Sequence, residues 1–374
     1  MPSAVALTVD SALIYPAIIS SGISGALVLT KNLHGKFTLD SHEGVQKFHV
    51  APTPRIGGIA LFGALVVAWL LGNATGGLLG LMLIAGLPAF LAGILEDLTK
   101  KVGVRERLLA TMFSGLLACF VTGYHLKYVE LPWVDDLFAL TPFALAFTAF
   151  AVGGVANAIN IIDGFNGLAG GVLMICFGMF GLIAWQVGDM QLVNLCLLLA
   201  ISVAGFMLLN FPFGKIFMGD GGAYFMGFLL AWIGVLLPMR NTGVSPWASI
   251  VVCGYPIIET LFSMWRKIYR KGYHPGQPDR VHFHMLMYQR FSRALFFGQK
   301  TSLINGLTTL FIMPFALLCS TLGLVFYSSA LQLKLSLLCC FAVYYLIYLR
   351  LTQFHWCLKP NKLTGAIRTL PLAD

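Results

Sequence analysis

The sequence predicts an all-α polytopic membrane protein with about 11 transmembrane helices, its N-terminus outside and its C-terminus cytoplasmic. Three observations carry this. Hydrophobic residues make up 58% of the 374, charged residues only 10%, and mean hydropathy is +0.83, far from a water-soluble domain. Apolar runs long enough to cross about 30 Å of hydrocarbon recur between charged or turn-forming clusters. Finally, 21 of the 24 Lys and Arg fall on one side if the N-terminus is placed outside, leaving only Lys127, Arg240 and Lys334 opposite.

The candidate spans are 11–30, 56–72, 78–95, 107–123, 141–160, 165–187, 191–209, 220–238, 246–265, 302–326 and 332–352. The first follows Asp10 without a basic leader region, so it reads as a retained helix. The chain is read as one integral-membrane domain over 1–352, with cytoplasmic loops 31–55, 96–107, 161–167, 210–220 and 266–300 and a cytoplasmic tail at 353–374. Eight cysteines lie in or beside apolar runs without metal-ligand spacing and read as packing residues. The net charge of +9 is mostly inner-loop charge, suited to anionic headgroups and phosphorylated substrates; with so little soluble surface it gives no support to a nucleic-acid partner.

Acidic motifs stand where apolar runs end on the cytoplasmic side. Functional charges of transporters sit more often near the bilayer midplane, so this placement favours an enzyme at the lipid surface. Glu96-Asp97 closes the third span beside Lys100, Lys101, Arg105 and Arg107. Paired carboxylates among cations suit Mg²⁺ and a diphosphate, although a solvated helix end would look the same. Asn157, Asn160 and Asp163 are three residues apart and share one helix face, followed by a turn at Gly164 and Gly167. Interhelical hydrogen bonding explains Asn157 but leaves Asp163 unexplained.

Asp220 enters the eighth span among Gly219, Gly221 and Gly222. That surrounding suits an anion or metal site, or a simple helix cap. The longest inner loop carries Asp279, Arg280, His282 and His284; both histidines reach one ligand only if the segment is not a regular helix. A solvated basic loop is the plainer alternative. His49, Arg55, Gly57 and Gly58 lead into the second span through two prolines, Pro52 and Pro54, a pattern that on its own reads as a structural loop.

Together, in this order, these segments resemble the polyprenyl-phosphate N-acetylhexosamine-1-phosphate transferases, glycosyltransferase family 4, and within it the bacterial WecA/TagO/WbpL-type branch. The likeness runs from about His49 to Met285 and rests on Pro-Thr-Pro-Arg-x-Gly-Gly, the acidic pair, Asn-x-x-Asn-x-x-Asp-Gly-x-x-Gly-Leu, Asn-Phe-Pro…Phe-x-Gly-Asp and Asp-Arg-x-His-x-His. The resemblance implies transfer of a sugar-1-phosphate from a UDP-N-acetylhexosamine to undecaprenyl phosphate. UMP is released, and a cell-envelope polysaccharide such as O-antigen, capsule or teichoic acid is begun at the cytoplasmic face of a bacterial inner membrane.

The resemblance also implies Mg²⁺, or Mn²⁺ in its place, and leaves room for a homodimer among membrane lipids. Carried over by position, Asp97, Glu96, Asp163, His282 and His284 are catalytic; Asp220, Asn160 and Asp163 hold the metal; and Asn210, Phe217, Gly164, Phe165, Asn166, Arg107, Arg280, His49 and Arg55 bind substrate. The expectation is that Asp97, Asp163 and Asp220 converge on one cation, with Asp97 orienting or deprotonating the lipid phosphate. The chain departs from the pattern at Glu96, where the family has Asp, at Asn166, where it has a second acidic residue, and at Met285, where it has a third histidine. A transporter of nucleotide or lipid-linked sugars and an inactive scaffold are the rival readings. The transporter predicts exchange without UMP release and tolerance of Asp220→Asn.

Overall fold

The computed structural model describes residues 14–40, 52–72, 75, 77–269 and 281–353. In chain order its helices are α1 (Tyr15–Leu29), α2 (Lys31–Thr38), α3 (Gly57–Leu70), α4 (Leu78–Thr99), α5 (Val104–Thr122), α6 (Thr141–Ile162), α7 (Leu168–Gln186) and α8 (Met190–Asn210). They continue as α9 (Gly219–Arg240), α10 (Pro246–Val252), α11 (Gly254–Tyr269), α12 (Phe283–Met287), α13 (Arg293–Leu295), α14 (Thr301–Val325) and α15 (Ala330–Thr352). A two-residue antiparallel ladder joins β1 (Leu39–Asp40) to β2 (Thr53–Pro54), a small departure from the all-helical expectation.

The chain is a helical polytopic membrane protein. Among the described residues seven helices are long and apolar enough to cross a bilayer, or eight if α10 and α11 form one bent span. The remaining apolar segments are helical too, but α1 and α3 are shorter and α5 opens with Arg105, Glu106 and Arg107.

The central helix is α9, with α3, α4, α5, α6, α7 and α10 packed around it. Helices in lipid gain no hydrophobic drive from meeting each other, so small residues that permit close backbone approach hold them together. A Cβ added to Gly93 of α4 would lie 2.5 Å from Gly221 Cα, and one on Gly227 of α9 would lie 2.7 Å from Ala156 Cα. Contacts that tight exclude any larger residue. At the periphery α15 turns Leu331, Leu338 and Leu346 outward, as a lipid-facing helix should.

The apolar run expected as one span at 246–265 breaks by 78° between α10 and α11. Pro256 supplies the cause, since it has no N–H for Val252 and its ring crowds that carbonyl. The released Val252 carbonyl accepts instead from Ser320 Oγ of α14 at 2.7 Å and Cys176 Sγ of α7 at 3.4 Å. Irregular backbone is tolerated at membrane depth when protein satisfies it in this way.

Candidate active site

The site is built on the N-terminus of α9. The segment preceding that helix is folded by Asn210, whose Oδ1 accepts from Gly167 N at 2.7 Å and whose Nδ2 donates to Ile216 O at 2.8 Å. The Pro-Thr-Pro-Arg-x-Gly-Gly segment then pairs with it backbone to backbone. Phe217 N donates to Pro54 O, Gly57 N to Phe217 O and Gly58 N to Met218 O, all at 2.8–2.9 Å. A side chain on Gly58 would run into Gly222, so both glycines are needed for the approach. The chain bends into α9 at Gly219, whose φ of +74° is open to glycine and strained for other residues.

The first amides of α9 need acceptors, and Asp97 supplies both from the end of α4. Its Oδ1 accepts from Asp220 N at 3.0 Å and its Oδ2 from Gly221 N at 2.8 Å. Asp97 is 0% exposed. This carboxylate therefore caps α9 across the helix interface, which leaves the Asp220 side chain to face the arginines.

Asp220 receives Arg55 Nη2 on Oδ1 and Arg107 Nη1 on Oδ2, with Asn160 Nδ2 donating to Oδ1 at 3.1 Å. Arg55 Nε also lies 3.4 Å from Asp97 Oδ1, so one guanidinium serves two carboxylates. The Arg107 guanidinium stands 5.7 Å over the Tyr224 ring, whose hydroxyl donates to Asn157 Oδ1 at 3.1 Å. The polar face read on the sixth helix therefore meets α9: Asn157 at Tyr224, Asn160 at Asp220, and Asp163 beside the Gly219 amide. Burial pushes the Asp163 carboxyl up to about 8; Arg55 opposes the shift and Asp97 adds to it.

Several expectations are corrected here. Among the described residues no three His, Cys, Asp or Glu side chains are grouped to hold an ion, so the convergence of Asp97, Asp163 and Asp220 on one cation is not formed. They belong to one network, but the Asp97 oxygens face amides and Asp220 faces guanidinium groups. Asp97 turns its two oxygens to the α9 amides, with Arg55 Nε beside Oδ1. Glu96 is turned to its own loop, with Oε2 accepting from Val102 N at 2.8 Å.

A hard divalent cation needs only one or two carboxylates beside substrate phosphates. Asp220 is such a carboxylate, with the Asn160 side-chain amide at its Oδ1 and Asp163 at the neighbouring Gly219 amide.

Asn166, expected against the nucleotide, is a buried clamp. Its backbone N donates to Asn305 Oδ1 at 2.7 Å, while Nδ2 donates to Pro212 O at 2.9 Å and Ser302 O at 3.2 Å. Asn210 likewise has both amide atoms engaged internally. Phe165 is buried under His284 and Tyr288, whereas Gly164 is exposed and Phe217 half-buried. His49 and Arg280 lie outside the described residues.

His282 precedes α12 in extended backbone, and this brings the two histidine rings parallel, 5.5 Å apart, instead of on opposite helix faces. His284 is 0% exposed, with Nε2 3.4 Å from where a Cβ on Gly164 would sit. The histidine segment thus lies on the turn that follows Asp163. Sequence reasoning missed Glu259, 1% exposed in α11 with His282 Nδ1 2.7 Å from its Oε1. A lone glutamate inside an apolar run was the available signal.

The fold and this centre define a polytopic membrane protein whose acidic and basic side chains gather at one end of its helix bundle, a setting for phosphate chemistry beside lipid. Residues 79–237 match the family model described as glycosyl transferase family 4. The chain is 30% identical over 287 residues to the undecaprenyl-phosphate alpha-N-acetylglucosaminyl 1-phosphate transferase of Yersinia pestis, covering 75% of this chain and 77% of that protein. The protein of the same name from Escherichia coli K12 is 27% identical over 276 residues, covering 70% and 72%. A Bacillus subtilis 168 protein named a probable undecaprenyl-phosphate N-acetylglucosaminyl 1-phosphate transferase is 31% identical over 243 residues, covering 64% and 66%. The chain belongs to glycosyl transferase family 4.

Proposed function

We propose that the protein transfers an N-acetylhexosamine-1-phosphate from a UDP-linked donor to undecaprenyl phosphate, releasing UMP. The observation that carries this reading is Asp220, buried at the head of α9 between two arginines that arrive from separate elements. Both substrates are anionic, and shared guanidinium groups beside carboxylates suit bringing two phosphorylated groups together. The names of the relatives support the acceptor and the sugar class.

In the proposed step a lipid-phosphate oxygen attacks the sugar-linked phosphorus of the donor. The new P–O bond forms as the bond to the bridging oxygen breaks, and UMP leaves with that oxygen. A phosphate monoester has a second pKa near 6, so the nucleophile is already largely ionised and needs no strong base. Arg55 and Arg107 bind the diphosphate by releasing part of their contact with Asp220. Asp97 holds the Asp220 backbone in register, and His282 faces the phosphates from the last loop. Asp220, with Asn160 and Asp163 near it, would hold Mg²⁺, which would supply charge neutralisation.

The same reading places eleven spans in a bacterial inner membrane, N-terminus outside and the centre cytoplasmic. The basic-residue asymmetry supports it, as does the gathering of Arg240 and Lys334 at the opposite ends of their helices. Single-cysteine variants in loops 124–140 and 288–300, labelled with an impermeant thiol reagent in intact cells, test the orientation: only the first should react.

The activity test supplies purified protein with radiolabelled UDP-N-acetylglucosamine, other UDP-N-acetylhexosamines, Mg²⁺ and undecaprenyl phosphate. Butanol-soluble label with matching UMP is expected. Label that exchanges without UMP would move the assignment to a transporter, and no lipid product with any donor would end the enzyme reading.

A further inference from the structure

Glu259 is a carboxylate held inside a bent apolar helix, where an ionisable side chain is costly and needs partners. Three donors meet it. His282 Nδ1 lies 2.7 Å and Phe283 N 3.3 Å from Oε1, and Tyr344 OH donates to Oε2 at 2.8 Å. One turn along α15 from Tyr344, Tyr348 OH donates to Val281 O at 3.0 Å. The last helix thus grips the histidine segment on both sides of His282, through Glu259 and through the preceding carbonyl. Both tyrosines lie beyond the residues matched by the family model, which ends at 237.

We propose that Glu259, braced by Tyr344, is the positioning residue for His282 in the phosphate-transfer reaction. A carboxylate on Nδ1 fixes the tautomer and ring plane, so that chemistry at His282 runs through Nε2. The inference rests on the transfer reading given above. The titratable groups facing Glu259 are His282 and His284 from the α12 segment, Tyr255 from α11 and Tyr344 from α15, with Tyr348 beside the latter.

The full-length protein in detergent is tested by two readouts. By NMR, the wild type should show a strongly deshielded imidazole N–H resonance, which His282→Asn removes and Glu259→Gln shifts upfield. By kinetics, Glu259→Gln should lower kcat by about 10–100-fold with little change in KM for the UDP-sugar. Glu259→Asp, which keeps the carboxylate, should recover part of kcat. Tyr344→Phe should give the same pattern at about 3–10-fold, and it decides the matter if Glu259→Gln does not fold. Unchanged kcat in these variants, a loss that falls equally on KM, or a loss with no recovery by Glu259→Asp would overturn the proposal. If the wild type makes no lipid product the transfer reading falls on its own, and absence of the wild-type resonance then overturns the Glu259–His282 assignment.

Discussion

Each end of the helix bundle carries a carboxylate–arginine centre, and the two differ in how the partners are matched. At the end remote from the α9 N-terminus, Asp189 meets one arginine. Arg240 Nη2 donates to Oδ1 at 3.0 Å and Arg240 Nε lies 2.9 Å from Oδ2, while Leu192 N and Asn241 Nδ2 complete the carboxylate. Arg240 also donates to Gln191, which in turn donates to Thr75 O. Every group has its own partner, and the pair locks α8 to α9. At the other end Arg55 is shared between Asp97 and Asp220, and Asp220 is shared between Arg55 and Arg107. Shared guanidinium groups can exchange a carboxylate for a phosphate without leaving a buried charge alone. A one-to-one pair cannot, so it acts as structure.

The sharpest way to break this contrast is Asp220→Asn. Removing the charge that both arginines share should lower kcat by about 10²–10³-fold, in the range seen when one preorganised charge-stabilising group is lost. The butanol-extraction assay measures it directly. Activity close to wild type would mean that the centre at the α9 N-terminus is as structural as the Asp189–Arg240 pair.

Asp97→Asn should have a smaller effect of a different kind. An asparagine keeps one acceptor oxygen, so one of the two α9 amides loses its partner. Loss of a helix cap costs about 1 kcal/mol of stability. Activity should fall by about 10–100-fold, because Asp97 acts on the reaction through the position of Asp220. Thermal unfolding and the transfer assay together separate the two effects. A kcat loss as large as that of Asp220→Asn would restore a direct contact between Asp97 and substrate.

The same contrast shows how much the sequence could tell. Hydropathy located the helices, because an apolar surface in lipid constrains long stretches of chain at once. Residue type and order point to the carboxylates at the α9 N-terminus, Arg55, Arg107 and the histidines, since charge at a span's end is conspicuous against an apolar background. What each side chain touches was less legible. Asn166 and Asn210 are donors and acceptors that could as readily have faced a ligand; only the fold brings Ser302, Pro212, Gly167 and Ile216 to them. Nothing local in the sequence reveals that the α9 amides lie against Asp97. The break before α11 did have a local sign in Pro256, yet an apolar run of spanning length hid it.

Gly93→Ala tests the packing that brings α4, and with it Asp97, against α9. The added Cβ meets backbone atoms of Gly221 and Asp220, which have no rotamer to yield. Overpacking of this kind costs about 1–3 kcal/mol. A clear fall in unfolding temperature is expected, with a weaker fall in activity. Gly178→Ala is the control, since nothing lies within 4 Å of its added Cβ. If Gly93→Ala were as stable as that control, the close approach of α4 to α9 would be wrong.

The smallest effect on activity belongs to the Asp189–Arg240 pair. Asp189→Asn keeps Oδ1 for Leu192 N and Arg240 Nη2 but replaces Oδ2, which meets Arg240 Nε and Asn241 Nδ2, with a donor, so Arg240 loses its countercharge. Breaking a largely buried pair from one side costs about 3–5 kcal/mol. The unfolding temperature should therefore fall clearly, with little dependence on salt because buried charges are screened less. Transfer activity should stay within about twofold of wild type, because a lost structural pair lowers stability without touching transition-state charge. A loss of kcat comparable with that of Asp97→Asn would show that the two ends of α9 are coupled, and the division between a structural centre and a reactive one would have to be abandoned.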